Sequence, residues 1–355
     1  MSGAADLIAY AACHGLTFLP RIGHEDKWAE VWANLEHHPI DQAPEMLDYQ
    51  VKYFNDSGWH LEDASVVITQ NDLPYGIWPL HVGGPEGTYA LTLAGTPLQL
   101  PLFRADVTAK LMRRTICSAL DTLRSWAAGL GIDSVAIRTH AKPKNSRVEI
   151  DFVDRQLLSI GAETRLHHEL HVDLHQTMDQ IRLNFRKSFR PLVNEGLRTW
   201  STFVMEANSI DPIIWEEFRQ LHYCSAGQRW TRGKVTWDSQ YAMLQDGTSF
   251  LVGLRDMNTK RLTGAGFFQT TRDEGLYAVA AYDRALFNKP LGHVVQFLAI
   301  KHMKDMGLSS YRLGDRPYPG DRPEPSAKEV DIGYFKEGFA SGIYRAITYI
   351  LPINT

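Results

Sequence analysis

The sequence contains no uninterrupted apolar stretch of about 18 residues, so no membrane-spanning helix is expected. It has only three cysteines, Cys13, Cys117 and Cys224. They are odd in number and far apart, which suggests neither a disulfide framework nor a CxxC metal motif and suits a reducing compartment. The first six residues lack a basic segment followed by an apolar one, so no secretory leader is expected and the expected location is cytoplasmic. An excess of positive charge is also missing. Lys and Arg number 37 against 41 Asp and Glu, which leaves 37 − 41 = −4 with neutral histidines. That balance predicts no global attraction to nucleic acid, while a local basic groove stays open. Familiar catalytic signatures are absent too. There is no GxSxG elbow, no GxxxxGK[ST] phosphate loop, no strand-linked GxGxxG and no HExxH. Serine hydrolysis, nucleotide hydrolysis and dinucleotide redox chemistry therefore lose their usual markers.

What is present is an ordinary globular composition, 44% hydrophobic and 22% charged. At about 150 residues per domain, 355 residues predict two domains. In the first half, 45–54 has helical spacing. Residues 65–69 and 75–82 read as an antiparallel hairpin around a turn at 70–74, with Pro79 ending the second strand or placing it at an edge. Residues 108–129 are the clearest helix there, with Leu111, Ile116, Leu120, Leu123 and Trp126 mostly three to five apart. A strand at 134–138 and a polar connection at 141–146 follow. The second half reads strand 166–174, a helix over 177–195 stopped by Gly196, strand 200–205, and helices 215–226 and 237–244. Three meander strands come next, 249–254, 264–270 and 276–282. A helix at 291–306, a short strand at 311–313, a loop over 315–330, a short helix or turn at 332–339 and a strand at 344–351 close the chain. A meander followed by α–β crossovers predicts a mixed sheet, an α/β chain of the α+β type. The domain boundary is expected near 140–165.

Several constellations could carry chemistry. His167, His168, His171 and His175 are dense, but they lie on a strand and its end, without a helical ligand spacing. No metal site is expected from them. Arg182, Arg186 and Arg190 are four apart and share a helix face, with Ile181, Phe185 and Phe189 on the buried side. Such a face is either solvated or suited to phosphate, which the planar guanidinium grips by two bonds. Arg229, Trp230, Arg232 and Lys234 form a loop that suits an anionic ligand as well as plain surface. Asp315, Arg316, Asp321 and Glu324 share a loop rich in proline and glycine. A carboxylate there could collect a proton from an amine, or simply be solvated. Lys336 stands beside Phe335 and three residues before Phe339. It either aims its ammonium at developing negative charge or lies over a core edge.

The order of four stretches resembles a known group. They are Val172-Asp173-Leu174 with the basic helix 182–190, 218–222 with the arginine loop through Arg232, 289–293 opening a helix that ends before 311–314, and Ile332-Gly333-Tyr334-Phe335-Lys336-Glu337-Gly338-Phe339. Over residues 165–350 the chain resembles the Fem-type aminoacyl and peptidyl transferases, a branch of the GNAT acyltransferase superfamily. The last stretch is the most specific, because the family closes with a comparable Phe-Lys-x-Gly-Phe segment. The resemblance implies two tandem GNAT-like domains with a cleft between them. Residues 1–155 would be a degenerate N-terminal domain and 156–355 the acyltransferase domain.

It also implies an enzyme that moves an acyl or aminoacyl group to an amine. The donor would be an aminoacyl-tRNA, an acyl-CoA or an acyl carrier protein, with no tightly bound cofactor. The acceptor would be an amine-bearing small molecule or a cell-envelope precursor. Lys336 is the expected cation for the oxyanion, and Asp315 and Asp321 are the candidate bases. Phe335, Tyr223, Arg229, Arg232, His293 and Arg316 are the expected substrate contacts, with Lys289 and Gly292 toward the carrier. Two departures stand out. The glycine-rich pyrophosphate turn of ordinary GNAT enzymes is not recognisable, and residues 284–292 stand in its place. No helical-arm insertion of the kind some cell-wall members carry is visible. A non-catalytic GNAT-like binding protein is the rival reading.

Overall fold

The computed structural model describes residues 3–85, 88–139, 151–229 and 231–353. The polar connection expected at 141–146, and Trp230, lie outside the described residues. The chain forms two compact units. The first holds Met1–His38, Met46–Leu166 and Ala346–Thr355, and the second holds Pro39–Glu45 and His167–Arg345.

The first part of the chain runs α1 (Gly3–Cys13), β1 (Thr17–Pro20), α2 (Glu25–Ala33), α3 (Pro44–Asp56), β2 (Trp59–Asp63), β3 (Val66–Gln70), β4 (Leu73–Trp78), β5 (His81–Pro85), β6 (Ala90–Thr92), β7 (Leu102–Phe103), α4 (Ala109–Gly129), β8 (Ser134–Thr139) and α5 (Phe152–Ser159). Strands β1-β3-β4-β7 form one antiparallel sheet and β2-β5-β6 another. The expected hairpin is β3–β4. Its turn puts Asn71 and Asp72 at positive φ, 51° and 63°, a region these short polar side chains tolerate. Pro79 lacks an N–H, and β4 stops at Trp78. Helix α4 starts where the Thr108 side chain accepts from Leu111 N. Its apolar stripe of Ile116, Leu120, Leu123 and Trp126 packs with Val66, Ile68 and Trp78 in one core.

The second part runs β9 (Glu163–Asp173), α6 (Met178–Asn184), α7 (Phe189–Thr199), β10 (Trp200–Met205), α8 (Pro212–Ser225), α9 (Lys234–Gln245), β11 (Ser249–Asp256), β12 (Leu262–Thr270), β13 (Glu274–Tyr282), α10 (Leu291–Asp305), β14 (Ser310–Asp315), α11 (Ala327–Glu337) and β15 (Gly342–Pro352). Within the second unit the strand order is β10-β11-β12-β13-β14-β9. The first four are an antiparallel meander, β13–β14 is parallel and β14–β9 is antiparallel, so the sheet is mixed as expected. The parallel ladder is short. It pairs Glu274 with Ser310, Gly275 with Tyr311 and Leu276 with Arg312, and then ends although both strands continue. Helices α8 and α10 cover opposite faces of this sheet. A Cβ on Gly266 would lie 2.8 Å from Val295 of α10. The next residue, Phe267, points the other way and meets the Trp215 ring of α8 at 5.7 Å.

The helix expected over 177–195 is two helices. The chain leaves α6 at Phe185 with extended ψ of 142°. Arg190 turns back to donate from Nη2 to the Leu183 carbonyl at 2.5 Å and from Nε to the Phe185 carbonyl at 3.3 Å. Arg186 donates to the Tyr334 carbonyl at 2.9 Å. Two of the three arginines of the expected basic face therefore bind carbonyls: Arg190 those at the break, which lack intrahelical donors, and Arg186 one of α11. Gly196 does not stop α7, which continues to Thr199. A Cβ there would lie 2.2 Å from Val294 Cγ2, so the glycine serves the close approach of α7 to α10. No helix among the described residues is long and apolar enough to cross a membrane.

Candidate active site

Where the β13–β14 ladder ends, β14 continues through Leu313-Gly314-Asp315. Gly314 has φ +115°, and a Cβ on it would lie 2.8 Å from Lys336 Nζ. The backbone region is what favours glycine here, and the missing side chain also leaves room for the lysine. Lys336 comes from α11. The Ser326 side chain caps that helix by accepting from Glu329 N, and Glu329 reaches back to the Ser326 N–H. The ammonium lies 5.2 Å from the centre of the Tyr277 ring, in a cation–π contact. Burial pushes it down to about 8, with the charge of Asp315 pulling in the other direction. At neutral pH it is a cation with little water around it.

The phenols near Lys336 form a group in which Tyr311 is fully buried and Tyr277 and Tyr282 are half-buried. Tyr277 and Tyr282 share a hydrogen bond of 3.2 Å between their hydroxyls, and Tyr311 donates to Gln296 Oε1 at 2.6 Å. Burial raises Tyr277 and pushes Tyr282 and Tyr311 well above the ordinary phenol range. All three stay protonated; the Tyr311 proton is held by Gln296, and the Tyr277–Tyr282 pair keeps one proton beyond the bond it shares. Gln296 Nε2 is buried without a hydrogen-bond partner.

Beside the lysine lies an aromatic layer. A Cβ on Gly292, in the first turn of α10, would lie 3.0 Å from Phe335 Cζ and 3.5 Å from the Tyr282 hydroxyl. His293 stands edge-on to Phe189 at 4.5 Å and to Phe335 at 5.2 Å. Burial, and secondarily the charge of Arg186, push its imidazole down to about 4, so it is neutral. Its Nδ1 is buried without a partner. Pro290 precedes α10 without capping it through a side chain. Lys289 is exposed and sits in the turn just ahead, its backbone N–H donating to the Leu286 carbonyl.

Of the other expected residues, Asp315 lies near enough for its charge to act on Lys336. Arg316 is buried, donating from Nε to Glu337 at 2.5 Å and from Nη1 to the Pro317 carbonyl at 2.7 Å. Asp321 accepts from Tyr318 N at 2.8 Å, which closes a loop turn. Asp315 is exposed at the end of β14. Arg232 belongs to a second group, with His222 and Trp237; Tyr223 follows His222 in α8. Arg232 Nη1 lies 3.3 Å from His222 Nε2 and its guanidinium stands 6.0 Å from the Trp237 ring centre. Burial and then Arg232 push His222 down to about 4. Arg229 is exposed and reaches the Ala226 carbonyl. The strand histidines take structural partners: His171 contacts Ser310 Oγ at 3.2 Å and Glu169 at 3.4 Å. Among the described residues no group of three or more His, Cys, Asp or Glu could hold a metal ion. The phenol group was not visible in the sequence. Tyr277, Tyr282, Gln296 and Tyr311 meet only through strand register and the seat of α10.

These two units have the fold of tandem GNAT-like proteins of the Fem type. No protein-family model matches the chain, and no curated protein matches it. Among solved structures it is similar to FemX, with TM-score 0.64 at 12% identity over 94% of this chain and 96% of that one. It is also similar to the C-terminal domain of a putative lysylphosphatidylglycerol synthetase from Agrobacterium fabrum, with TM-score 0.58 at 12% identity over 99% and 93%. A tandem GNAT protein from the clavulanic acid biosynthesis pathway follows with TM-score 0.52 at 13% identity over 96% and 99%. At such identities the likeness is one of fold.

Proposed function

We propose that the protein is an N-acyltransferase of cytoplasmic location. It moves an acyl or aminoacyl group from an activated carrier to an amine in cell-envelope or surface-glycan biosynthesis. Residues 156–355 supply the chemistry and 1–155 form a degenerate GNAT-like partner domain. One observation carries this reading: the ammonium of Lys336 is desolvated where the β13–β14 ladder has ended, beside phenols that stay protonated. The fold shared with FemX and with a lysylphosphatidylglycerol synthetase domain supports it.

The step balances simply. The neutral acceptor amine forms a bond to the acyl carbon, and the carbonyl electrons move onto its oxygen. Lys336 stabilises that oxyanion, because a fixed cation in a water-poor site acts strongly on charge that develops there. The oxyanion then collapses, the bond to the carrier oxygen or sulfur breaks, and the carrier leaves with the electron pair. The proton lost by the amine passes to Asp315, or to Asp321, directly or through water. Phe335 and the neutral His293 wall the acceptor side. Arg229, Arg232, Arg316 and Tyr223 complete the substrate contacts in this reading. The uncapped start of α10, with Gly292 and Lys289, suits a carrier phosphate. The carrier is an aminoacyl-tRNA, an acyl-CoA or an acyl carrier protein. Only an acceptor end would need a local basic path, so the net charge of −4 is compatible with tRNA.

The test is mass spectrometry of product formed with charged tRNA, acyl-CoA or acylated carrier protein, for the native chain and Lys336→Ala. Turnover with one donor, strongly reduced in the variant, is the expected result. Full activity in Lys336→Ala would remove the assigned role. Absence of turnover with every donor would favour a non-catalytic binding protein.

A further inference from the structure

A cavity of about 690 Å³ lies in the second unit, on the α8 side of the sheet, and Lys336 and Phe335 are not among its lining residues. Its volume is in the range of small-molecule sites, roughly 300–1,000 Å³. One wall is a single stripe of α8, repeating every four residues from Ile213 through Glu217 and Leu221 to Ser225. The other wall comes from the start of β12 and the end of β13, with Leu262, Tyr282 and Arg284. The polar groups of these walls are mostly engaged with each other or with neighbours outside. Glu217 pairs with Arg255, and Glu216 accepts from Arg219 at 2.7 Å and from Gln220 at 2.8 Å. Asp283 accepts from Arg261 at 2.5 Å and from Ala285 N at 3.0 Å. What remains facing the space is largely aliphatic. Ile213 stands 72% exposed, an apolar side chain left in water beside the cavity. Arg284 is exposed, and among the described residues no hydrogen bond or ion pair engages its side chain.

We propose that this cavity binds a single aliphatic chain ending in a carboxylate, with the chain between α8 and the strand ends and the carboxylate on Arg284. The paired acids of the wall add no net attraction for a cation. An aliphatic body meets Leu221 and Leu262, and the one uncommitted charge among the lining residues calls for an anionic head. The cavity shares Tyr282 with the phenols near Lys336, but neither Lys336 nor Phe335 lines it, and its occupancy does not depend on acyl transfer being the reaction.

Cys224 gives a direct readout, because it lines the cavity and is exposed, as Cys13 is in the first unit. Alkylation by iodoacetamide, followed cysteine by cysteine with peptide mass mapping, should be slowed at Cys224 at least tenfold by saturating dodecanoate, with Cys13 unaffected. Across octanoate, decanoate and dodecanoate the half-protecting concentration should fall by about fourfold per methylene. Dodecylamine should not protect. Arg284→Ala, at an exposed position, should weaken dodecanoate by about tenfold, as loss of a charged hydrogen bond does. Leu221→Trp should abolish protection by filling the space. Lys336→Ala should leave protection unchanged, which keeps this test apart from that of the transferase reading. Unslowed Cys224, equal protection by dodecylamine, or protection by phosphatidylglycerol vesicles without protection by dodecanoate would overturn the proposal.

Discussion

In the first unit, Arg21 donates from Nε to Asp63 at 2.8 Å and from Nη2 to Asp48 at 3.2 Å, while Asp63 also accepts from Ser65 N at 2.8 Å. Burial is the largest influence and would raise the Asp63 carboxyl, but the charge of Arg21, the nearby His81 and the hydrogen bonds from Ser65 together outweigh it and hold the group below its ordinary range. His81 nearby is buried and pushed down to about 4, mainly by desolvation, and accepts from Ala94 N at 3.1 Å while neutral. Lys336 in the second unit is treated in the opposite way. It is desolvated, it rests on a ring face, and Asp315 opposes the shift without reversing it. A buried charge that is matched by hydrogen-bonded partners serves the fold. One whose burial is only partly offset costs stability, and that cost is explained if the group acts on something from outside the chain.

The largest expected effect tests the matched side. Asp63→Ala leaves Arg21 with one weaker partner in a partly buried position. It should lower the unfolding free energy by about 3–5 kcal/mol, read from urea denaturation. A loss below about 1 kcal/mol would show that the cluster is not held as a charge pair. Lys336→Met tests the other side with the sign reversed. Turnover should fall about 10²-fold or more, as when one oxyanion donor is removed. Stability at pH 7 should rise by about 1 kcal/mol, because a desolvated charge is gone. The native pH dependence should agree. Between pH about 8 and 10.5 the unfolded chain holds the lysine proton and the folded chain does not. Stability linked to this group therefore rises with pH across that window, while turnover falls above about 8. A destabilised Lys336→Met would make the lysine a fold element and erase the contrast.

Gly314→Ala probes the same cation through the backbone. The residue has φ +115°, and its Cβ would approach Lys336 Nζ. A loss of about 2 kcal/mol in stability and a displaced high-pH limb of the rate profile are expected. An unchanged profile would mean that the close approach is incidental. The smallest effect is that of Ser326→Ala, which removes the cap of α11 and should cost about 1 kcal/mol with turnover nearly intact. A cost well below that would show that the cap is redundant with packing.

Much of this architecture was legible where periodicity is strong. The helix expected at 108–129 is found at Ala109–Gly129, and the three meander strands are found close to their expected limits. Helices α1, α2 and α5 escaped notice, since each is 11 residues or shorter. Spacing predicted a common face for Arg182, Arg186 and Arg190. It could not predict a break at Phe185, because what closes the break is the Arg190 side chain folding back on the freed carbonyls. Lys336 stood out in the sequence through its flanking phenylalanines. The phenols under it did not, because alternation marks a strand and leaves its partner unknown. Register places Tyr277 opposite Phe268 and Tyr311 opposite Val172, and no local pattern encodes that.

The segment Pro39–Glu45 belongs to the second unit although the first flanks it on both sides, and Ala346–Thr355 returns to the first. Within that segment the Ile40 N–H donates to Glu274 at 3.0 Å, and Asp41 pairs with Arg312 next to the parallel ladder. At the other end, residues 347–352 complete the pairing of β8. During synthesis the first unit must therefore wait for a strand about 200 residues downstream of β8, roughly 10–40 s at ordinary elongation rates of 5–20 residues per second. Throughout that interval β8 is without this partner. The time at which the ribosome finishes β15 therefore sets the earliest moment at which the first unit can close its sheet at β8.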